Sequence, residues 1–355
     1  MEFAFFGTVP PQLEGFAAGL GDALEAHGYT RLEDPAGARL VVNFVDSANP
    51  RPFRRDSKAV FVASFWYASE MPDDFLRHSY PVLVRALSNL SVCIVPGSAA
   101  RFLTPEQGHY SVEHTGDERE FLRGIVERLA PLAESTLVVD NVHVPDLEPD
   151  LWDGDEHTDA LRRAGERLDA LHLLPAPFPI QQILPERDLR HVMRLYAIGG
   201  LSYGNLSARK DERRFWMSAS GVDKSKLVEI GRDVMLVTGY DPDREAMLLS
   251  VPPGIEPRRV SVDAIEHWKI YMEHPEVGAI VHVHAWVDGI PATEVNYPCG
   301  TAELAEAVAD LVRKADEPGR AIIGLKNHGL TITGPSLDEI FERVEPHIQR
   351  HVPMT

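Results

Sequence analysis

The chain has 355 residues, of which 44% are hydrophobic and 25% charged, a balance that allows two packed domain cores. Its 54 acidic and 35 basic residues give a net charge of −19, which disfavours nucleic acid and anionic membrane surfaces as partners. The two cysteines, Cys93 and Cys299, form no CxxC pair, and the N-terminus MEFAFFGTVPPQLEG lacks the features of a signal peptide. We therefore expect a cytoplasmic protein without a membrane span.

Residues 1–145 alternate strand-like and helix-like segments, from FAFFGT at the start to STLVVDNVHV at the end. This alternation predicts an open, mainly parallel α/β domain. Pro81 lies inside the helical pattern DDFLRHSYPVLVRALSN, where it is expected to kink or split the helix. The domain has neither a GxGxxG fingerprint nor a P-loop, so we assign it no chemistry.

An acidic, proline-containing stretch, PDLEPDLWDGDEHTD, follows this first domain. Its composition is typical of a linker, and we place the linker at residues 146–184. The pattern HTDALRRAGERLDALHLL inside it predicts a helix. A second domain is expected over residues 185–355.

The stretch AIVHVHAW, residues 279–286, contains two histidines one residue apart in a strand-like run. Alternate side chains of a strand point to the same face, so His282 and His284 project together. Two neutral imidazoles side by side are half of a metal site. The alternative is a pair of hydrogen-bonded histidines facing solvent or a polar crevice.

A third histidine stands in GLKNHGLTITG, where an apolar strand runs into a glycine turn at His328. A side chain at such a strand end can reach a neighbouring strand, although an ordinary turn histidine has the same pattern. In PRRVSVDAIEHWKIYMEH, Ser261 is a candidate helix N-cap and Asp263 follows in the first turn. The spacing puts Asp263 and His267 on one helix face; an ordinary helix-start acid is the alternative for Asp263.

The segment GGLSYGNLSARKDERRFWMSASGVDKSKL is rich in glycine, serine and asparagine. Turns of this composition present N–H and hydroxyl donors that bind phosphate or carboxylate groups, and they are also common as plain turns. Taken together, these motifs resemble the class II aldolase and adducin family over about residues 185–350. They occur in the following order: GNLS (204–207), SASGVDKS (218–225), Ser261 to His267, PEVGAIVHVH (275–284), GTAELA (300–305) and NHGLTITG (327–334).

The resemblance implies an α/β/α domain with a central, mainly antiparallel sheet. It also implies a Zn²⁺ site, for which Mn²⁺, Fe²⁺ or Co²⁺ would suit the same ligands. The implied metal ligands are His282, His284 and His328, and the implied catalytic group is Asp263. The positions matching the family's substrate-phosphate contacts are Ser202, Asn205, Ser220, Gly221 and Ser261.

The function that this resemblance implies is a metal-dependent lyase that cleaves or forms a C–C bond in a small hydroxycarbonyl compound, through an enediolate stabilised by the metal. An epimerase, dehydratase or decarboxylase on the same site is an alternative, and so is a non-catalytic, adducin-like interaction module. The family also implies a homo-oligomer, commonly a tetramer. Val262 replaces the second serine of the usual phosphate-binding pair, so recognition of phosphate stays open.

Overall fold

The computed structural model describes residues 1–54, 57, 60–104, 108–175, 180–195 and 203–355. The chain divides into two units, each with its own sheet. The first unit comprises Met1–Ser135, Phe178–Val192 and Met354–Thr355, and the second comprises Thr136–Pro177 and Met193–Pro353. Among the helices of the described residues, none combines the length and the apolar character needed to cross a bilayer.

In the first unit the described residues form a seven-stranded sheet with the order β2-β1-β3-β4-β5-β6-β7. The first five strands in this order are parallel to one another. Strand β6 is antiparallel to both of its neighbours, β5 and β7. The strands are β1 (Glu2–Gly7), β2 (Thr30–Leu32), β3 (Leu40–Phe44), β4 (Phe61–Tyr67), β5 (Leu90–Val95), β6 (Ala99–Thr104) and β7 (Gly108–Glu113).

Continuous apolar runs build this sheet because both of its faces are covered. All five residues of β3 and all six of β5 are buried. The helices assigned mainly to this unit are α1 (Glu14–Ala26), α2 (Phe75–Arg85), α3 (Glu118–Glu134), α5 (Ile180–Ile183) and α6 (Glu186–Leu195). The predicted mixed α/β architecture with a mainly parallel sheet is therefore confirmed.

Helix α2 is not split at Pro81: it continues through this residue to Arg85. A proline removes the hydrogen bond to the carbonyl four residues earlier, which here belongs to the exposed Arg77. Water can satisfy that carbonyl, so the helix tolerates the proline.

The second unit contains an eight-stranded sheet in its described residues, with the order β14-β15-β13-β9-β10-β11-β12-β8. Neighbouring strands are antiparallel except β12 and β8, which are parallel. The strands are β8 (Asp140–Val144), β9 (Asn205–Arg209), β10 (Phe215–Ser218), β11 (Val234–Asp241), β12 (Ala246–Ser250), β13 (Ala279–Val283), β14 (Ile322–Leu325) and β15 (Gly329–Gly334).

Helices cover both faces of this second sheet. They are α4 (Glu156–Ala170), α7 (Ala264–Glu273), α8 (Ala302–Lys314) and α9 (Leu337–Val344). Trp216 on one face donates to Asp155 at the start of α4, and Phe215 on the opposite face packs against Tyr271 of α7. The second unit is therefore an α/β/α sandwich around a mainly antiparallel sheet, as the sequence predicts.

The division into units differs from the predicted boundaries at residues 136–177. Strand β8 pairs with β12 of the second sheet, so the second unit begins at Thr136 rather than after a linker. Helix α4, expected inside the linker, buries Leu161 and Leu168 completely in the second core. Most of the acidic residues in this stretch precede α4, and the apolar face of α4 decides where the helix packs.

Candidate metal centre

Three histidines meet at one end of strands β13 and β15. His282 lies on β13, His284 follows that strand, and His328 stands in the turn before β15. One nitrogen from each ring lies within 4.8 Å of the others, and the side chains are 1%, 8% and 4% exposed. The structure therefore brings together the three metal ligands that the resemblance implies.

Two backbone features allow the His328 turn to approach β13. Asn327 takes a left-handed conformation with φ of 55°, which reverses the chain before the histidine. At Gly329 a Cβ atom would lie 2.3 Å from the carbonyl oxygen of Val283. A residue with a side chain cannot fit there without moving β13 or β15, so the glycine sets the distance between the histidines.

Burial keeps the three imidazoles neutral at pH 7. Desolvation is the main cause that lowers the pKa of His282 to about 4 and that of His328 to about 3. The pKa of His284 also falls well below its ordinary value, through burial and the neighbouring histidines. Neutral rings offer lone pairs to a cation, which protonated rings do not.

Several of these ring nitrogens lack a hydrogen-bond partner within the described part of the chain. They are Nδ1 of His284 and the nitrogens of His282, whose ring also faces a backbone group of Leu330; all are buried. Buried polar atoms are costly when unpaired, and a divalent cation would satisfy one nitrogen of each ring. Three converging imidazole nitrogens with no carboxylate among them suit zinc. These residues therefore fit the metal that the resemblance implies.

Asp263 lies beside this cluster and is 6% exposed. Asn205 Nδ2 donates to its Oδ2 at 2.7 Å, and the backbone N–H of Gly300 also faces the carboxylate. Burial raises the pKa of Asp263, while the positive charge that His328 can carry and the Asn205 hydrogen bond act in the opposite direction. Its Oδ1 is buried without a hydrogen-bond partner among the described residues.

The start of α7 differs from the sequence-based expectation. The helix begins at Ala264, so Asp263, rather than Ser261, occupies the N-cap position. The Asp263 side chain caps no helix N–H, because its carboxylate is turned toward Asn205. An ordinary helix-start acid would cap the helix or face solvent.

Helix α7 packs its polar face on the same strands that carry the histidines. His267 Nδ1 lies 2.7 Å from Ser207 Oγ, and that hydroxyl also contacts the Tyr271 hydroxyl at 2.8 Å. Burial lowers the pKa of His267 well below its ordinary value. His267 thus holds the helix on β9 through a neutral hydrogen bond, consistent with the predicted shared face.

Glu266 was not predicted as a site residue, yet it is 2% exposed. His282 is paired in register with Asn205 on β9 and with Thr331 on β15. The hydroxyl of Thr331 donates to Glu266, just as Asn205 donates to Asp263. Burial, followed by the charge of Asp263, raises the pKa of Glu266 to about 8. The two cross-strand neighbours of His282 therefore each hold one buried carboxyl group.

Lys224 was also missed, although it lies within the motif SASGVDKS. Its side chain is 3% exposed, and burial lowers its pKa to about 8 against the opposing charge of Asp263. The positive charge of Lys224 in turn lowers the pKa of His282 and His284, so it lies near the cluster. A lysine in a glycine- and serine-rich turn normally indicates an exposed residue, which hides this position in the sequence.

The predicted substrate contacts fall into three groups. Ser220 and Ser261 lie on adjacent segments, because Ser220 N–H donates to Arg259 at 2.9 Å and Ser261 N–H donates to Ser218 at 3.3 Å. Gly221 follows with φ of 69°. Asn205 directs its amide to Asp263. Ser202 lies outside the described residues.

Comparison with known proteins agrees with the motif analysis. Residues 189–293 match the family described as "Class II Aldolase and Adducin N-terminal domain". A methylthioribulose-1-phosphate dehydratase of Stenotrophomonas maltophilia is 34% identical over 100 residues, which are 28% of this chain and 41% of the dehydratase. One of Xanthomonas campestris is 36% identical over 86 residues, or 24% and 34% of the two chains. The chain thus spans less than half of the length of these curated relatives.

Solved structures with a similar arrangement include an L-fuculose 1-phosphate aldolase, at 19% identity and a TM-score of 0.38, over 54% of this chain and 81% of that one. Another is the N-terminal class II aldolase domain of a conserved protein from Thermoplasma acidophilum, at 16% identity and a TM-score of 0.35, over 56% and 93% of the two chains. The family match spans Asp263, His282 and His284. Residues 189–293, in the C-terminal half of this chain, are thus similar to the class II aldolase and adducin family.

Proposed function

We propose that the second unit is a metal-dependent lyase that acts on a small hydroxycarbonyl compound. The observation that carries this proposal is the convergence of three buried, neutral histidines with unpartnered nitrogens beside a buried carboxylate. His282, His284 and His328 would hold a divalent metal, with zinc as the first candidate. Such a metal supplies a Lewis acid for the oxygens of a hydroxycarbonyl compound.

Asp263 is the proposed acid–base group. Its Oδ1 is unpartnered within the described residues, so it is available to a proton of the substrate. Asn205 holds the other oxygen and thereby fixes the direction of the carboxylate. Burial raises the pKa of Asp263, which makes the carboxylate a stronger base than an exposed aspartate. A carboxylate placed in this way can take up or return a proton at a hydroxyl or at the carbon beside a carbonyl.

The opposite end of the substrate has its own candidate contacts. Ser220 and Ser261 place hydroxyl groups on adjacent segments, Gly221 follows Ser220, and Lys224 adds a buried positive charge. This combination favours a phosphate or carboxylate group on the substrate. Ser202 stays a prediction from the resemblance, and so does a homo-oligomeric assembly.

Two reaction types remain open on this site. Cleavage or formation of a C–C bond is the first, because it is the chemistry of the class II aldolases that the motifs resemble. Elimination of water is the second, and the specific observation in its favour is the match to proteins named methylthioribulose-1-phosphate dehydratase at 34% and 36% identity. Epimerisation and decarboxylation require the same metal ligands and carboxylate.

Proton exchange tests the proposal before the substrate is known. The zinc-loaded protein is incubated in D₂O with a panel of phosphorylated and unphosphorylated hydroxycarbonyl compounds, and ¹H NMR follows the hydrogens beside the carbonyl. We expect exchange or product formation with at least one compound, and a rate lower by about 100-fold or more in Asp263→Asn. Asp310→Asn changes a partly exposed aspartate of α8 that pairs with Arg313; it is the matched control and should retain the wild-type rate.

The products separate the alternatives. Two smaller carbonyl fragments identify an aldolase, whereas a single product lacking one water identifies a dehydratase. Metal binding without exchange on any compound would instead support an adducin-like interaction module. Failure to bind metal would overturn the proposal at its first step.

A further inference from the structure

We propose that Tyr203 is a specificity-determining residue, whose ring stands beside His284 and limits the size of the compound that can reach the histidine cluster. The inference rests on the proposed function and deepens it, because it names the class of substrate: a hydroxycarbonyl compound with small substituents on the carbons that carry its two oxygens. The three histidine rings contact one another, with centroids 4.7 to 5.3 Å apart. The Tyr203 ring adds a fourth, with its centroid 5.3 Å from that of His284 and the two planes at 44°.

The pairing of β9 with β13 explains why Tyr203 lies beside this histidine. His282 of β13 is in register with Asn205 of β9, and the two strands are antiparallel. The same register, continued by two residues on both segments, puts Tyr203 opposite His284. Because alternate residues of paired strands point to the same face, Tyr203 and His284 project from the face of the sheet that carries His282.

The backbone next to Tyr203 is held close to β13. Gly204 has φ of 73°, and a Cβ atom there would lie 2.4 Å from the carbonyl oxygen of His282. A residue with a side chain at this position would push the start of β9 away from β13. In addition, Tyr203 N–H donates to the carbonyl of Leu174 at 2.8 Å. These two contacts fix the point at which the tyrosine side chain leaves the backbone, and they keep its ring beside His284.

Exposure puts the Tyr203 ring on the solvent side of the cluster. His284 is 8% exposed, against 1% for His282 and 4% for His328, so solvent comes nearest to the cluster at His284. Tyr203, in contact with that ring, is half-buried and more exposed than the three histidines. A compound that enters on the His284 side therefore passes the tyrosine ring before it reaches the histidine nitrogens.

A rigid ring in this position selects by size. A hydroxycarbonyl compound binds a divalent ion through two neighbouring oxygens, which brings the carbons that carry them next to the metal ligands. Small groups on these carbons leave the ring in place, whereas a branched group has to displace it. Such selection arises from a clash with the wrong compound rather than from an added contact with the right one.

An attractive aromatic surface is the alternative role for this ring. It makes the opposite prediction, because a bulky apolar substituent would then bind more tightly with Tyr203 present than with Tyr203 removed. The two roles are therefore separated by the direction in which a smaller side chain changes the binding of a bulky ligand.

Two hydroxamates of different size measure this selection on the zinc-loaded, full-length protein. Acetohydroxamate and pivalohydroxamate bind a metal through the same pair of oxygens, and they carry a methyl and a tert-butyl group beside the carbonyl. Isothermal titration calorimetry gives both dissociation constants. In wild type we expect acetohydroxamate to bind at least about 10-fold more tightly than pivalohydroxamate. In Tyr203→Ala this ratio should fall to about threefold or less, through tighter binding of pivalohydroxamate.

Three further variants complete the comparison. Tyr203→Phe keeps the ring and should keep the wild-type ratio. Tyr203→Leu fills part of the same space and should give an intermediate ratio, which keeps the test decisive when the alanine variant does not fold. Tyr67→Ala removes a half-buried tyrosine of the first unit and is the matched control, with the wild-type ratio expected. Equal zinc content reports that each variant has folded around the histidine cluster.

The outcomes separate this inference from the proposed function. A ratio that Tyr203→Ala and Tyr203→Leu leave unchanged would overturn the role of Tyr203 and leave the metal site standing. A wild-type preference for pivalohydroxamate that disappears in Tyr203→Ala would overturn it as well, since the ring would then attract rather than exclude. An equal fall of the ratio in Tyr203→Phe and Tyr203→Ala would assign the effect to the hydroxyl instead of the ring. Wild type that binds no zinc, or that binds zinc and neither hydroxamate, would overturn both proposals.

Discussion

The two sheets of this protein bury polar side chains in different ways. In the first unit they are mostly neutral: Ser91 accepts from Trp66 and contacts Ser79, all inside the core. Among the described residues of that unit, Asp188 is the one buried carboxylate, and it pairs with Arg85 at 2.8 Å. In the second unit the buried polar residues include Lys224, Glu266 and the histidine cluster, several of them with unpartnered atoms.

This difference points to the second unit as the place of the proposed chemistry. Paired, neutral groups stabilise a fold at little cost, whereas buried ionisable groups without partners destabilise it. A chain keeps such groups together when a ligand or a reaction requires them, which makes them markers of function. Among the described residues, the unpartnered buried atoms of the second unit include histidine nitrogens and carboxyl oxygens, whereas those of the first unit, in Arg39, Asn43 and Thr104, include neither. The following variants test this contrast, beginning with the strongest effect.

Removing two histidines from the cluster should abolish metal binding. We expect wild type to bind about one zinc per chain and His282→Ala/His284→Ala to bind almost none, because one imidazole cannot hold the ion. Elemental analysis of the purified proteins measures this, with thermal unfolding in the presence of added zinc as a second readout. The double variant His347→Ala/His351→Ala removes two exposed histidines instead. Equal metal content in the two double variants would contradict the assignment.

A methyl group at Gly329 should disrupt the same cluster through the backbone. Gly329→Ala puts a Cβ within 2.3 Å of the Val283 carbonyl, so β15 must move away from β13. We expect the free energy of unfolding to fall by about 3 kcal/mol, with weaker zinc binding. Gly15→Ala in α1 of the first unit meets no atom within 4 Å and should be neutral or stabilising by about 0.5 kcal/mol. Denaturant unfolding of both variants gives the comparison, and similar effects at the two glycines would disprove it.

Glu266→Gln should change how stability depends on pH in the metal-free protein. The pKa of Glu266 is raised from 4.5 to about 8 in the folded state by burial. Between these values the unfolded chain releases a proton that the folded chain keeps, so stability falls as pH rises from about 4.5 to about 8. Glutamine stays neutral in both states, and the variant should gain about 4 kcal/mol over wild type at pH 8 relative to pH 4.5.

Urea unfolding at a series of pH values, with a chelator present, measures this effect. Glu273→Gln, on the exposed end of the same helix, is the matched control and should follow the wild-type pH profile. If Glu266→Gln also follows the wild-type profile, Glu266 does not carry a buried proton in the folded protein.

Ser91→Ala should have the smallest effect and no pH dependence. The substitution removes a hydroxyl that accepts from Trp66 Nε1 at 3.1 Å and contacts Ser79 at 3.0 Å. We expect a loss of about 1 kcal/mol in the free energy of unfolding, equal at pH 5 and pH 8, because no group involved titrates in that range. Zinc content should be unchanged. A change in zinc content or a pH-dependent loss would show that the neutral network of the first sheet is not independent of the ionisable one.

The sequence allowed much of the fold to be predicted. Continuous apolar runs identified β3, β4 and β5, and helical spacing identified α1 and α3, because the pattern of burial repeats with the geometry of each element. Strands β6 and β7, a short antiparallel pair, were missed because AARFLT and GHYSVE lack a clear alternation. The place of β8 was missed because strand pairing depends on a partner more than 100 residues away.

Prediction of the candidate site was likewise limited by contacts between segments that are distant in the sequence. His282 and His284 could be predicted as a pair because a strand repeats every two residues, a purely local rule. Their burial, and the approach of His328 and Asp263, depended on the pairing of β13 with β15 and β9 and on the packing of α7.

By itself, the sequence indicated a mainly parallel first sheet, the histidine pair and the resemblance of the second half to a known family, because local periodicity and motif order can be read along the chain. Only the tertiary structure decided that Lys224, Glu266 and Cys299 lie at or near the histidine cluster. The local sequence around each of these residues is equally typical of an ordinary exposed or apolar position. Their burial and neighbours arise from contacts between segments distant in the chain, and those contacts determine both the pKa values and the distance from Cys299 to His328.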